Sequence, residues 1–213
     1  MKNEPTILIV PGLRGHVPEH WQTILADELP KAVAVPRLER NKLSCAAWVA
    51  AIDRSLESIH GPVILVAHSA GVMMVAHWAR TATREIQGAL LATPPDLETA
   101  LPPGYPTLSD LKKKGWMPVP REPLPFPSIL AASTNDPIAR FDRIVALGNA
   151  WGSRVVRVGN VGHLNPVYGF GRWPRAHDFI RELGATTQPM RRPLKASSLS
   201  LASWPRASRL RVR

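Results

Sequence analysis

Residues 63–74 read Val-Ile-Leu-Val-Ala-His-Ser-Ala-Gly-Val-Met-Met, an apolar run interrupted by small residues. The first half has the composition of a buried strand, and the second half can continue as a helix. Ser69 lies at the turn between them, with Ala67 and Gly71 two positions before and after it. A tight strand-to-helix turn of this kind presents a serine hydroxyl as a nucleophile above a parallel sheet. The stretch therefore predicts such a sheet, with Ser69 as the candidate nucleophile.

The turn departs from the common pattern, because alanine stands two residues before the serine where glycine is usual. Both flanking positions have to be small, since a larger side chain would collide with the strand or the helix. Ala67 meets that requirement. The alternative is that Ser69 is only a small turn residue, so a base and a carboxylate have to be found elsewhere in the chain.

Length and composition predict one domain. The chain has 213 residues, 45% of them hydrophobic, which suffices for one α/β core but not for two sizeable domains. No run approaches the roughly 18 to 20 apolar residues that span a bilayer, and the first residues lack the apolar core of a signal peptide. We therefore expect a cytoplasmic protein. The single cysteine, Cys45, offers neither a disulfide nor a metal-binding pair and is expected to be a small buried residue.

The net charge of +11 is concentrated at one end of the chain. All 16 acidic residues lie at or before Glu182, whereas residues 185–213 have no acidic residue and carry seven basic ones, without which the net charge falls to +4. A polyanionic partner is therefore expected for this tail alone. Its composition of Ser, Pro, Arg and Ala without periodicity predicts disorder from about Ala185 onward, which leaves residues 1–184 as the folded domain.

Strand and helix patterns alternate along residues 1–184. Apolar runs bounded by turn residues predict parallel strands at 6–10, 32–35, 63–67, 88–92, 128–132 and 154–158. Helical patterns occupy 19–29, 46–59, 71–81, 138–151 and 175–183. This rhythm predicts an α/β fold, a three-layer α/β/α sandwich with a mostly parallel central sheet.

The segment 93–127 breaks this rhythm, because it is rich in proline and has few periodic apolar positions. Two interpretations are open. The segment is either a cap that shapes the substrate pocket or a rigid surface loop. Trp116 and Met117 are the residues expected to line a pocket if the segment is a cap.

A base and an orienting carboxylate follow Ser69 in the order that a serine nucleophile on a parallel sheet requires. Asp136 comes shortly after the predicted strand 128–132, and His163 lies on a glycine-flanked loop after the predicted strand 154–158. Both side chains are therefore expected at the edge of the sheet where Ser69 emerges. This order and placement are much less expected by chance than the serine turn alone.

These residues predict acyl chemistry. Ser69 would attack an acyl carbonyl, His163 would accept its proton, and Asp136 would orient the imidazole. The backbone N–H groups of Ala70 and Leu13 would bind the oxyanion. This chemistry requires neither a metal nor an organic cofactor.

Each of these candidate catalytic residues could instead have a purely structural role. Asp136 could cap a helix beginning near Ile138, and His163 could be an ordinary loop histidine. His68 is the nearest rival base, but it precedes the nucleophile and is expected to point away from Ser69 and to pack beneath the site. The remaining histidines are expected to be structural or exposed: His16, His20, His60, His77 and His177.

With these residues in place, the chain resembles the small serine hydrolases of the retinoblastoma-binding-protein and YdeN group within the α/β-hydrolase superfamily. The similar blocks are 10–13 with 20–22, the serine turn 67–71, 132–137, 162–165 and 169–174. The resemblance implies a compact hydrolase without a large lid, with Ser69, Asp136 and His163 at the positions of the family's triad. It does not reach the basic tail, and it implies no binding to the retinoblastoma protein.

The sequence thus predicts a serine hydrolase that cleaves small carboxylic esters, with amides as a second substrate class. The partner is a small-molecule acyl substrate. Two alternatives remain at this point: an acyltransferase on the same triad, or a non-catalytic binding protein that uses the basic tail to contact nucleic acid, an acidic partner or an anionic membrane surface.

Overall fold

The structure of the chain, a computed structural model, describes residues 4–186. Six strands form one sheet in the order β2-β1-β3-β4-β5-β6, and every neighbouring pair is parallel. The strands are β1 Thr6–Val10, β2 Ala32–Ala34, β3 Val63–His68, β4 Gly88–Ala92, β5 Ser128–Ser133 and β6 Arg154–Gly159. The predicted parallel sheet is confirmed, with strand ends that differ from the predicted ends by one residue at most.

Helices α1 to α5 lie between successive strands, and α6 follows the last strand. They are α1 Trp21–Glu28, α2 Cys45–Glu57, α3 Ala70–Ala79, α4 Leu108–Lys113, α5 Phe141–Ala150 and α6 Arg175–Ala185, and a short 3-10 turn covers Pro166–Tyr168. Five of them correspond to predicted helices, whereas α4 lies inside the segment 93–127 and was not predicted. The structure does not describe residues from 187 onward, so the basic tail and its predicted disorder lie outside the described residues.

Alternate residues of each strand build the two cores that make the fold three-layered. On β1, Leu8 and Val10 belong to a cluster with residues of α2, α3 and α5, whereas Ile7 and Ile9 belong to a cluster with residues of α1 and α6. Successive strand side chains point to opposite faces, so each face of the sheet is covered by its own helices. Both faces are apolar because both are buried.

The strand order reverses at β1, which has β2 on one side and β3 on the other. At such a switch point the loops that leave adjacent strands turn to opposite faces of the sheet and open a crevice at their carboxyl ends. The loop after β1 and the serine turn after β3 both emerge there, so the topology itself opens a site beside Ser69.

The segment 93–127 is anchored to the body. The Trp116 side chain is 1% exposed, and its indole Nε1 donates to the carbonyl oxygen of Leu43 at 2.7 Å. Helix α4 begins with a capping box, in which Thr107 and Asp110 satisfy each other's backbone N–H groups. The segment is therefore a packed wall beside the crevice. Within residues 4–186, no helix has the length and apolar character needed to cross a membrane.

Candidate active site

Ser69 occupies a strained turn between β3 and α3. Its backbone has φ 56° and ψ −130°, and its N–H donates to the carbonyl oxygen of Ala92 at 3.0 Å. Positive φ is costly for a residue with a side chain and is typical of a nucleophile elbow. Gly71 is required for a separate reason. A Cβ built there would collide with the carbonyl oxygen of Val10 and would lie 2.7 Å from that of Pro11.

The structure brings Ser69, His163 and Asp136 together at the carboxyl ends of β3, β6 and β5. The Nε2 atom of His163 lies 2.8 Å from Ser69 Oγ, and its Nδ1 lies 2.8 Å from Asp136 Oδ2. The side chains of His163 and Asp136 are 5% and 3% exposed. Both distances are in the range of hydrogen bonds between a nucleophile, a base and an orienting group.

Asp136 uses its second carboxylate oxygen for the backbone. Its Oδ1 accepts from the N–H of Ile138 at 3.0 Å. Helix α5, however, begins at Phe141 with Arg140 as its N-cap. The helix-capping alternative for Asp136 is therefore wrong: the carboxylate closes a short turn before the helix, and that turn holds Oδ2 toward His163.

His68 contacts the backbone of the candidate base. Its Nε2 lies 2.9 Å from the carbonyl oxygen of His163, which also accepts from Thr93 Oγ1 at 3.5 Å. Because a carbonyl oxygen only accepts, Nε2 carries the proton. Burial, followed by the neighbouring His163 and His20, lowers the pKa of His68 well below its usual 6.5. His68 is buried, but it also lines the cavity, and its support of the His163 loop was not predicted.

Asn135 holds the same loop from its other side. Its Oδ1 accepts from the N–H of Gly162 at 2.7 Å and from Ser133 Oγ at 3.1 Å. A second bond runs in parallel from Thr134 Oγ1 to Asn160 Oδ1. These side chains join the loop that carries Asp136 to the loop that carries His163. Sequence reasoning missed Asn135, although it directly precedes Asp136.

The two N–H groups expected to bind an oxyanion flank Ser69. Ala70 follows it at the start of α3, and Leu13 lies in a turn closed by a 2.9 Å bond from Gly15 N–H to the Gly12 carbonyl oxygen. A Cβ built on Gly12 would lie 3.3 Å from Ser69 Cβ, so this turn abuts the serine. Within residues 4–186, neither the Leu13 nor the Ala70 amide donates to another protein group.

The block His20-Trp21-Gln22 lies against the carboxyl ends of β1 and β3. Gln22 Nε2 donates to the carbonyl oxygens of Val10 at 3.3 Å and Val66 at 3.0 Å. The Trp21 ring packs edge-on against Trp173, with centroids 4.9 Å apart. The block therefore joins the start of α1 to the segment before α6.

His20 borders the site as a neutral ring. Its Nδ1 accepts from the N–H of Gln22 at 3.2 Å, which caps α1. Burial, with smaller effects of His163 and His16, lowers the pKa of His20 from 6.5 to about 4. Like His68, it is therefore uncharged near neutral pH.

A cavity of about 380 Å³ opens above Ser69. Much of its wall is apolar and comes from the segment 93–127 and the turn after β5: Pro95, Leu97, Leu101, Leu111, Trp116 and Ile138. Trp116 lines the cavity as expected. Met117 does not; it is half-buried against the core instead. Among residues 4–186, no group of three or more His, Cys, Asp or Glu side chains converges in a way that could hold a metal ion.

A parallel sheet with a serine turn at its switch point, and with histidine and carboxylate loops after later strands, defines the α/β-hydrolase class. Within that class, the chain belongs to the Serine hydrolase family, whose model matches residues 7–182. No curated protein sequence matches it significantly.

Solved structures agree with this assignment. A YdeN-like hydrolase from Pectobacterium atrosepticum is 30% identical, with a TM-score of 0.71 over 84% of this chain and 92% of that one. The ydeN gene product of B. subtilis is 18% identical, with a TM-score of 0.65 over 86% of this chain and 100% of that one. Est1E from Butyrivibrio proteoclasticus with bound ferulic acid is 12% identical, with a TM-score of 0.62 over 85% of this chain and 87% of that one, and shares the fold.

Proposed function

We propose that this serine hydrolase cleaves small carboxylic esters through an acyl-enzyme intermediate. The observation that carries the proposal is the continuous line of hydrogen bonds from Asp136 through His163 to Ser69, with 2.8 Å at each step, below an apolar cavity. Cavities of this size and composition suit small molecules with an apolar part.

Acylation begins when Ser69 Oγ attacks the ester carbonyl carbon and its proton passes to His163 Nε2. Asp136 holds Nδ1–H and stabilises the imidazolium. The negative charge that develops on the carbonyl oxygen is met by the N–H groups of Leu13 and Ala70, which have no protein acceptor within residues 4–186. The alkoxide then leaves with the proton from His163, and the acyl group stays on Ser69.

Deacylation repeats these steps with water as the nucleophile. His163 removes a proton from water, the hydroxide attacks the acyl carbon, and Ser69 Oγ leaves with that proton, which releases the carboxylic acid. An added alcohol that replaced water would give a new ester. Product analysis with and without such an acceptor therefore separates hydrolysis from acyl transfer.

Labelling with a fluorophosphonate tests the nucleophile directly. We expect the wild-type protein to be labelled on Ser69, and Ser69→Ala to be unlabelled and inactive on a panel of aryl esters of two to eight acyl carbons. Ser58→Ala is the matched control, because Ser58 directly follows α2 as its C-cap and its hydroxyl donates to the carbonyl oxygen of Ser55. Equal labelling of Ser69→Ala and wild type would overturn the proposal.

A further inference from the structure

Arg14 is an exposed residue that lines the cavity above Ser69. Of the described residues that line the cavity, Arg14 is the one with a permanent charge, and none is Asp or Glu. Its side chain is exposed, and the facing walls are largely apolar. A substrate in this cavity would therefore meet apolar surface and one cation.

The position of Arg14 relative to Ser69 is set by a tight turn. Gly12 abuts the serine, Leu13 supplies a proposed oxyanion donor, and Arg14 follows directly, with the turn closed by the 2.9 Å bond from Gly15 to Gly12. The first and last Cα atoms of such a turn lie within about 7 Å. The cation is thus attached to the element that would bind the reacting carbonyl group.

Within residues 4–186, Arg14 forms no ion pair with an acidic side chain. All 16 Asp and Glu residues lie within the described part of the chain, and none of them forms an ion pair with Arg14. A second cation stands close by, because the Cδ of Arg37 would lie 3.4 Å from a Cβ on Gly15, and Arg37 also forms no ion pair with those residues. Neither arginine at this turn is therefore paired with an Asp or Glu side chain of the described residues.

We propose that the ester cleaved at Ser69 carries a negatively charged group, a carboxylate or a phosphate, that binds Arg14. An apolar part of the same ester packs against the cavity wall around Trp116. A guanidinium group binds these anions with two parallel hydrogen bonds. Attraction by an exposed cation also raises the rate of encounter with an anionic substrate and weakens with salt. The assignment rests on the proposed esterase function and names the chemistry of its substrate.

Three matched esters test this assignment: phenyl butyrate, monophenyl glutarate with the carboxylate on the acyl part, and 4-carboxyphenyl butyrate with the carboxylate on the leaving group. The measured quantity is kcat/KM for each anionic ester divided by that for phenyl butyrate. Comparing this ratio between wild type and Arg14→Gln cancels the intrinsic reactivity of the esters. The ester whose ratio falls shows which part of the substrate faces Arg14.

We expect Arg14→Gln to lower the ratio for at least one anionic ester by roughly twofold to tenfold, as befits an ion pair near the surface. Arg14→Lys should keep part of the preference, and raising the salt to about 0.5 M should reduce the wild-type ratio toward the Arg14→Gln value. Arg54→Gln is the control, since Arg54 is exposed on α2 and does not line the cavity, and it should leave both ratios unchanged.

Two results would overturn this substrate assignment while the esterase function stands: hydrolysis of all three esters with ratios that Arg14→Gln does not change, or ratios that fall equally in Arg54→Gln. A protein that fluorophosphonate does not label and that hydrolyses none of the esters would contradict the esterase function itself, and with it the assignment. The same comparison with esters that carry a phosphate instead of the carboxylate tells the two anions apart. The preferred anion is the one whose kcat/KM ratio falls more in Arg14→Gln.

Discussion

The Nε2–H of His68 donates to the carbonyl oxygen of His163 at 2.9 Å, although the two residues are 95 positions apart. His68, which directly precedes the proposed nucleophile in sequence, therefore supports the backbone of the proposed base. Because burial lowers the pKa of His68 well below 6.5, the ring is a neutral donor near neutral pH. The serine turn and the histidine loop are thus mechanically connected through one side chain.

We predict that His68→Ala lowers kcat by about tenfold to a hundredfold with little change in KM, because displacing a reacting group by about 1 Å costs rate more than binding. Steady-state kinetics on a neutral aryl ester measures both constants. His68→Gln, which keeps a donor, should recover part of kcat. Exposed His60→Ala is the control. A rise in KM at unchanged kcat would show that His68 acts on substrate binding instead.

Asn135 supplies the second support of this loop, and we predict that Asn135→Ala also lowers kcat, by roughly tenfold. The change leaves the Gly162 N–H without its 2.7 Å acceptor, so the loop before His163 loses its fixed position. The rate at which a fluorophosphonate labels the protein reports the same defect and requires no ester substrate. Asn149→Ala, on the exposed side of α5, should label at the wild-type rate, and equal rates for both variants would refute the supporting role of Asn135.

Two glycines in helices make a matched pair for stability. Gly71→Ala would drive a Cβ into the backbone of Val10 and Pro11, whereas a Cβ on Gly184 would meet only Ile64 Cδ1 at an ordinary 3.9 Å. We predict that Gly71→Ala lowers the free energy of unfolding by several kcal/mol or prevents folding, and that Gly184→Ala raises it by up to about 1 kcal/mol. Denaturant unfolding measures both changes, and a Gly71→Ala protein as stable as wild type would contradict the close approach.

The buried histidines predict acid sensitivity. The pKa of His20 is about 4 in the folded protein and 6.5 as a free side chain. Between these values the unfolded chain binds a proton that the folded protein does not, so the free energy of unfolding should fall as the pH drops from 6.5 toward 4. Above pH 6.5 both states are neutral, and His20 adds no pH dependence. The lowered pKa of His68 acts in the same direction.

His20→Asn tests this contribution, because asparagine can still cap α1. Denaturant unfolding at pH 7.5, 6 and 5 should show a smaller loss of stability for this variant than for wild type. The exposed variant His60→Asn should follow wild type. Identical slopes for His20→Asn and wild type would mean that His20 is protonated equally in both states.

The basic tail gives a prediction about binding. Ending the chain after Thr186 removes the seven basic residues 191–213 and keeps the described body intact. We expect the shortened protein to keep its hydrolase activity and to lose any salt-sensitive retention on heparin. Wild-type retention that survives the truncation would place the polyanion contact on the body of the protein.

The strands could be predicted from sequence because six short apolar runs, each bounded by turn residues, leave little choice of start or end. Helix α5 begins later than predicted because the residues before Phe141 form the turn that closes on Asp136. Helix α4 was missed because it has only six residues within a proline-rich segment. Its one local signal was the capping box from Thr107 to Asp110.

Within the site, Ser69, Asp136 and His163 could be predicted to lie together because parallel strands place their carboxyl ends at one edge of the sheet. The roles of His68 and Asn135 could not, since each depends on how two distant loops meet. Contacts of this kind are specified by tertiary packing, and neither residue type carries a local pattern that predicts them.

The close approach of Gly71 to the end of β1 has one further consequence. The nucleophile and the two proposed oxyanion donors are held in register by main-chain atoms, whereas the wall around Trp116 is built from side chains of the separate segment 93–127. Substitutions in that wall can therefore change which substrate the cavity accepts without disturbing the reactive geometry. Reactivity and selectivity therefore depend on different parts of this chain, so substitutions can alter one while preserving the other.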